Sequence, residues 1–227
     1  MVSARDDEDL ASLGLEGKGM RSRSLTRARL AKAAQCLASR DADLAGILRR
    51  HGPPPMWARR PGFATLVRII LEQQVSLASA RSVFGRLAAS VDPFTARGFV
   101  EVGEPYLRSL GITRQKAAYC VHVARAIAEG QLNLGAVARM SDSNAKTALT
   151  RIKGIGPWTA DIYLLMALRR PDVWPSGDLA LVTAVGKLKG LRERPTPSAV
   201  AAVAEEWRPF RSVAARMLWQ YYLAGGA

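Results

Sequence analysis

An all-α fold is predicted by three features of this 227-residue sequence. Apolar residues recur at helical spacing in nearly every segment from Leu25 onward. Short breaks rich in Gly, Pro or Asp separate those segments. No alternating strand pattern persists, and no repeat with a period of 20 to 50 residues is present.

Each element has its own reason. Residues 1–24 are acidic, then Gly-rich, then "RSRS", which predicts a mobile tail. "LTRARLAKAAQCLAS" places Leu30, Ala33, Ala34 and Leu37 on one helical face. "DADLAGILRRH" follows, with Asp41 as its N-cap. "GPPPMWARRPG" breaks the pattern. "FATLVRIILEQQVS" predicts a helix whose far end turns polar, and "LASARSVFGRLAAS", "EPYLRSL" and "TRQKAAYCVHVARAIAEG" continue the series. "SDSNAKTALTRI" ends in a glycine turn. Residues 159–168 are apolar nearly all round, which predicts a helix in the centre of the core. "DLALVTAVGKL", "TPSAVAAVAEEW" and "PFRSVAARMLWQYYLA" complete the chain.

Charge narrows the partners. The chain carries a net +14 with a pI near 10.7, yet residues 1–20 hold five acids against Arg5 and Lys18. The remainder is therefore at +17, which attracts polyanions, nucleic acid foremost. A solvated basic surface is the plainer reading of charge alone. Cys36 and Cys120 both fall in helical apolar patterns and read as buried free thiols in a reducing compartment. No Cys or His cluster offers metal ligation. The N-terminus lacks an apolar leader-like run, and no stretch of eighteen apolar residues exists, so neither secretion nor a membrane span is expected.

The most informative stretch is "LTRIKGIGPW". A helix is predicted to end near Ile152 and another to begin near Pro157, which suits a first helical turn. Gly154 and Gly156 let the backbone reverse and let another molecule approach it. The turn's N–H groups then form an anion site, and on a basic protein the natural anion is a DNA phosphate. An ordinary glycine-capped connection is the alternative. Downstream, Asp178 in "PSGD" precedes an apolar helix and reads from pattern alone as an N-cap.

In combination these motifs resemble the helix-hairpin-helix DNA glycosylases. Leu149, Ile152, Lys153, Gly154, Ile155, Gly156, Pro157, Trp158, Thr159 and Ala160 match that hairpin. Asp178 falls where the superfamily keeps its catalytic aspartate, and "GITRQKA" and "LEQQVS" match as well. The resemblance runs from about Asp41 to Ala224 and is greatest to the bacterial 3-methyladenine DNA glycosylase II branch. It implies one glycosylase domain over residues 25–224, all-α and two-lobed, with the hairpin at about 149–160 and DNA in a cleft between lobes. Larger members carry an N-terminal β-rich domain. Only some forty residues precede the matched helices here, so that domain is expected to be missing.

The resemblance also assigns roles. A carboxylate close to C1′ stabilises an oxocarbenium-like sugar and can orient water, the role implied for Asp178. Bifunctional relatives place a nucleophilic lysine where Trp158 stands, so a monofunctional enzyme without lyase activity is implied. Trp158 and Trp219 align with base-pocket aromatics, although core packing explains Trp219 nearly as well. Ile162 replaces a third pocket aromatic, with Tyr163 adjacent. A cationic alkylated base would gain from such faces. Gln74 aligns with the side chain that fills the gap left by a flipped base, with Gln73 beside it; a solvent-exposed helix end is the alternative. Lys116, Lys153 and Thr159 join the hairpin glycines as expected DNA contacts.

The function implied is excision of alkylated bases such as 3-methyladenine and 7-methylguanine from double-stranded DNA, by a monomer in the bacterial cytoplasm. No cofactor or metal is expected beyond a monovalent cation at the hairpin carbonyls. Rivals are a glycosylase for deaminated or mismatched bases, a non-catalytic helix-hairpin-helix DNA-binding protein, and an RNA-associated basic protein.

Overall fold

The computed structural model describes residues 24–226. The tail expected over 1–24 therefore lies, but for Ser24, outside the described residues. In chain order the helices are α1 (Arg27–Arg40), α2 (Ala42–His51), α3 (Phe63–Glu72), α4 (Leu77–Ser90), α5 (Ala96–Ser109), α6 (Arg114–Ala128), α7 (Leu134–Arg139) and α8 (Asp142–Thr150). They continue with α9 (Pro157–Ile162), α10 (Leu179–Leu188), α11 (Pro197–Ala204) and α12 (Arg211–Tyr221). No strand occurs among the described residues, so the all-α expectation holds.

Polar caps set most of the helix starts. Thr26, Ser76, Thr95, Thr113, Asn133, Ser141, Asp178 and Thr196 each accept a first-turn N–H through the side chain. Asp41 caps α2 as expected, with Oδ1 accepting from Asp43 N and Leu44 N at 2.9 and 3.0 Å. Its other oxygen accepts from the Trp207 indole at 2.9 Å, so one carboxylate starts a helix and fixes a core aromatic.

Several boundaries differ from the sequence reading. The helix expected to run to Ser76 stops at Glu72, with Gln73 as C-cap and Gln74 in the left-handed region at φ +54°. "EPYLRSL" is the second half of α5, which kinks at Gly103 (φ +69°) ahead of Pro105. α7 was not anticipated, and α8 stops at Thr150, two residues before the expected Ile152. Cys120 is fully buried, but Cys36 is only partly so.

The chain divides into two compact units, and the division is discontinuous in sequence. Among the described residues, one unit combines the chain up to Ala58 with the chain from Leu168 onward; the other is Arg59–Ala167. In the discontinuous unit α12 is the central helix. Every residue from Ser212 to Trp219 is buried, including Arg216 at 0% exposure. α1, α2 and α10 pack on α12, with Leu30, Leu37, Leu44 and Val185 in the core. Asp172 ties the start of α12 through Arg211 Nε (2.9 Å) and Nη2 (3.0 Å) and through Arg208 Nη1 (2.8 Å).

In the continuous unit the central segment is α9 with the π-helical turn Tyr163–Ala167, as the apolar run predicted. Residues 159–165 are all buried; α3 and α8 pack on them with Leu66, Ile70 and Leu149, and α6 packs on α3 with Cys120 in the core. Arg59 clasps Glu72 with two parallel bonds of 2.8 and 2.9 Å, joining the segment before α3 to its last turn.

Candidate active site

The hairpin between α8 and α9 lies wholly in the continuous unit. Gly154 has φ +102°, and a Cβ there would stand 2.6 Å from the Tyr119 Cβ. Only glycine satisfies both conditions. Gly156 is different. Its φ is −78°, it is exposed, and a Cβ would meet nothing within 4 Å. The fold itself leaves that position open, and no side chain caps the helix that begins after it.

Two polar braces hold the hairpin. Lys146 Nζ on α8 reaches Asp161 Oδ2 on α9 at 2.8 Å, and Asp161 is 2% exposed. Gln73 donates its Nε2 to Thr159 Oγ1 at 2.8 Å and to the Gly154 carbonyl at 3.4 Å. The turn after α3 is thus bonded directly to the glycine turn. Thr159 is buried at 1% and serves this brace, while Lys153 is exposed at the hairpin's rim.

Lys116, expected as a DNA contact, is tied to the protein's own backbone. It is half-buried, and its Nζ donates to the Leu71 carbonyl at 2.8 Å, in the last turn of α3. Burial lowers its pKa. It therefore closes the helix that ends just before Gln73 and Gln74. Gln74 itself is exposed in its left-handed turn, between Gln73 and the exposed Val75 (42%) and Leu77 (54%). Trp158 is half-buried near the start of α9. Ile162 and Tyr163 lie in the core at 2% and 0% exposure, and the Tyr163 hydroxyl accepts from Gly62 N at 3.1 Å. Trp158 is therefore the accessible aromatic of this segment.

The carboxylate belongs to the other unit. Asp178 is half-buried at the N-cap of α10, and its Oδ1 accepts from Leu181 N at 3.1 Å. The same oxygen accepts the Trp219 indole Nε1–H at 3.2 Å. Trp219 is 8% exposed and forms a T-shaped pair with Trp57, with centroids 6.3 Å apart. Asp178, Trp219 and Trp57 are thus one cluster. Leu181 N and the Trp219 indole thus hold the same carboxylate oxygen, and a helix end and an indole together orient the group.

Sequence reasoning singled out neither Trp57 nor the Asp161–Lys146 brace. A tryptophan inside a proline-rich break was the available signal for the first. For the second it was a lone acid in an otherwise apolar helix.

Residues 67–209 match the family described as HhH-GPD superfamily base excision DNA repair protein. YfjP of Bacillus subtilis is 29% identical over 186 residues, covering 78% of this chain and 65% of that protein, so the chain spans less than two thirds of its length. DNA-3-methyladenine glycosylase 2 of Escherichia coli is 30% identical over 211 residues, covering 82% of this chain and 72% of the relative. Among solved structures, 3-methyladenine DNA glycosylase (Mag1) of Schizosaccharomyces pombe in complex with abasic DNA superposes with a TM-score of 0.77 at 27% identity, covering 83% of this chain and 95% of the other. The chain belongs to the HhH-GPD superfamily of base excision DNA repair proteins.

Proposed function

We propose that this protein is a monofunctional DNA glycosylase that excises alkylated bases from double-stranded DNA. The observation that carries the reading is Asp178, held through one oxygen by the start of α10 and by Trp219. Its relatives named as 3-methyladenine glycosylases favour the substrate class.

In this reading the hairpin backbone at Gly154–Gly156 takes a DNA phosphate, with Lys153 nearby. Gln74 fills the gap left by the extruded nucleotide, its turn held by Lys116 and Gln73. Trp158 offers a face to the base. An alkylated purine is cationic, so it is drawn to an indole and leaves as a neutral molecule without needing a strong general acid. Asp178 stabilises the positive charge that develops at C1′ and orients water for attack there. Trp158 carries no amine, so no Schiff base forms at that position and an abasic site is left. The carboxylate chemistry calls for no metal, and excision is expected to persist in EDTA.

The test is incubation with duplexes carrying one defined lesion each, followed by alkali to reveal abasic sites. Excision of 3-methyladenine or 7-methylguanine, with no strand break before alkali and no adduct trapped by borohydride, is expected. Preference for uracil, or failure to excise any base, would contradict the reading.

A further inference from the structure

Trp57 is an anomaly in the segment joining α2 to α3. It is half-buried, it is bulky, and its φ is +44°, where side chains other than glycine's are crowded. A strained conformation persists only where its surroundings hold it.

Those surroundings are identifiable, and all belong to the discontinuous unit. Arg216, fully buried on α12, donates Nε to the Met56 carbonyl at 3.0 Å and Nη1 to the Ser212 carbonyl at 2.9 Å. Burying a guanidinium is costly, and here it fixes the peptide immediately before Trp57. Burial lowers the Arg216 pKa to about 9. Gln220, one turn further along α12, donates to the His51 carbonyl at 2.9 Å and secures the end of α2. The Trp57 ring then rests against Trp219, which bonds Asp178.

Within this cluster the two indoles have different situations. Trp219 is 8% exposed and its N–H is committed to Asp178. Trp57 is the indole that solvent, and hence a ligand, can reach. We infer that Trp57 is a specificity-determining residue: held by the Arg216 clamp, it presents an aromatic surface to the base whose glycosidic bond Asp178 attends, and it selects cationic alkylated purines. Trp219 is then a positioning residue for the carboxylate rather than the surface that the base meets. The inference rests on the glycosylase reading above. Electron-rich rings attract cations, so the preference should be for bases that carry a positive charge.

The experiment compares wild type with Trp57→Ala, Trp57→Leu and Trp57→Phe. Single-turnover excision of 7-methylguanine is measured together with binding to a duplex carrying a tetrahydrofuran abasic-site analogue, which has no base to meet the ring. Trp57→Ala and Trp57→Leu should slow excision by about tenfold or more, which corresponds to about 1.4 kcal/mol. Their affinity for the abasic duplex should stay within about twofold, and Trp57→Phe should recover most of the rate. The leucine variant keeps bulk against Trp219 and decides the matter should the alanine variant fold poorly. Trp57→Leu excising at the wild-type rate overturns the assignment of Trp57. So does a loss of abasic-duplex affinity as large as the loss of rate, because a merely structural role would produce that. A wild-type protein that excises no alkylated base sinks the glycosylase reading and the inference with it, an outcome distinct from active wild type with unaffected variants.

Discussion

Trp219 donates its indole N–H to Asp178 Oδ1 across 3.2 Å, spanning 41 positions of sequence. Leu181 N reaches the same oxygen at 3.1 Å. The backbone bond alone would let the carboxylate turn about its cap. The indole fixes it against α12, the most buried helix of its unit.

Trp219→Phe keeps the ring and removes the donor. Hydrogen bonds to charged groups contribute about 1.5–3 kcal/mol, so single-turnover excision is expected to fall roughly tenfold or more. Loss of that bond and of part of the buried indole should also lower the thermal midpoint by several degrees, at about 2–4 °C per kcal/mol for a chain of this size. An unchanged rate would show that the cap alone positions Asp178.

Asp178→Asn should go further. The amide can still accept from Leu181 N and Trp219, so the fold and the N-cap survive. It carries no negative charge for the transition state. Excision should be abolished while affinity for damaged duplex stays within about tenfold, because the carboxylate serves the transition state more than the ground state. Quench-flow excision and equilibrium binding on the same duplex check both halves.

The two hairpin glycines make a contrasting pair. Gly154→Ala forces a non-glycine residue to φ +102° and a methyl to 2.6 Å from the Tyr119 Cβ. Destabilisation of about 1–3 kcal/mol, from the backbone conformation alone, is expected in urea unfolding. Gly156→Ala meets open space at an ordinary φ, so stability should hold. If DNA approaches the backbone there, the added methyl should still weaken duplex binding. Equal loss of stability in both variants, or unimpaired binding by Gly156→Ala, would place the phosphate elsewhere.

Much of the helical framework was legible because it rests on local rules. Asp41 sits ahead of "ADLAGIL", and the run at 159–168 has no polar face. Both behave as their patterns dictate. The helix-hairpin-helix resemblance was legible because glycine spacing is a covalent constraint. Long-range polar commitments were not. Arg216 looks like the solvent face of α12, and nothing local reveals that it is buried beneath the Met56 carbonyl. "EQQVS" looks like a polar helix end, yet the chain leaves the helix after Glu72, and Lys116, forty-five positions away from Leu71, closes that end. Tyr163 was read beside a pocket position, but its hydroxyl is held by Gly62 in the core. Partners so distant in sequence leave no trace in periodicity.

Stability at alkaline pH supplies a final test of the core. Cys120 lies at 0% exposure on α6, and burial pushes its thiol up to about 12, with the Lys116 ammonium pulling the other way. In the unfolded chain the thiol ionises near 8.5, at about its free value. Between those limits the folded protein retains a proton that the unfolded chain has released. Its contribution is therefore fully present below about pH 8.5 and is lost as pH rises toward the folded value, at up to about 1.4 kcal/mol per pH unit. Tyr163, also pushed up to about 12 by burial, acts in the same direction from a higher starting pH. Lys116, lowered by burial, opposes them by favouring the folded state as it deprotonates. Cys120→Ala removes the thiol's share alone. Urea unfolding of wild type and variant from pH 8 to 10.5 should give stability differences that shrink or reverse as pH rises. Parallel curves would mean that the thiol is reached by solvent in the folded protein.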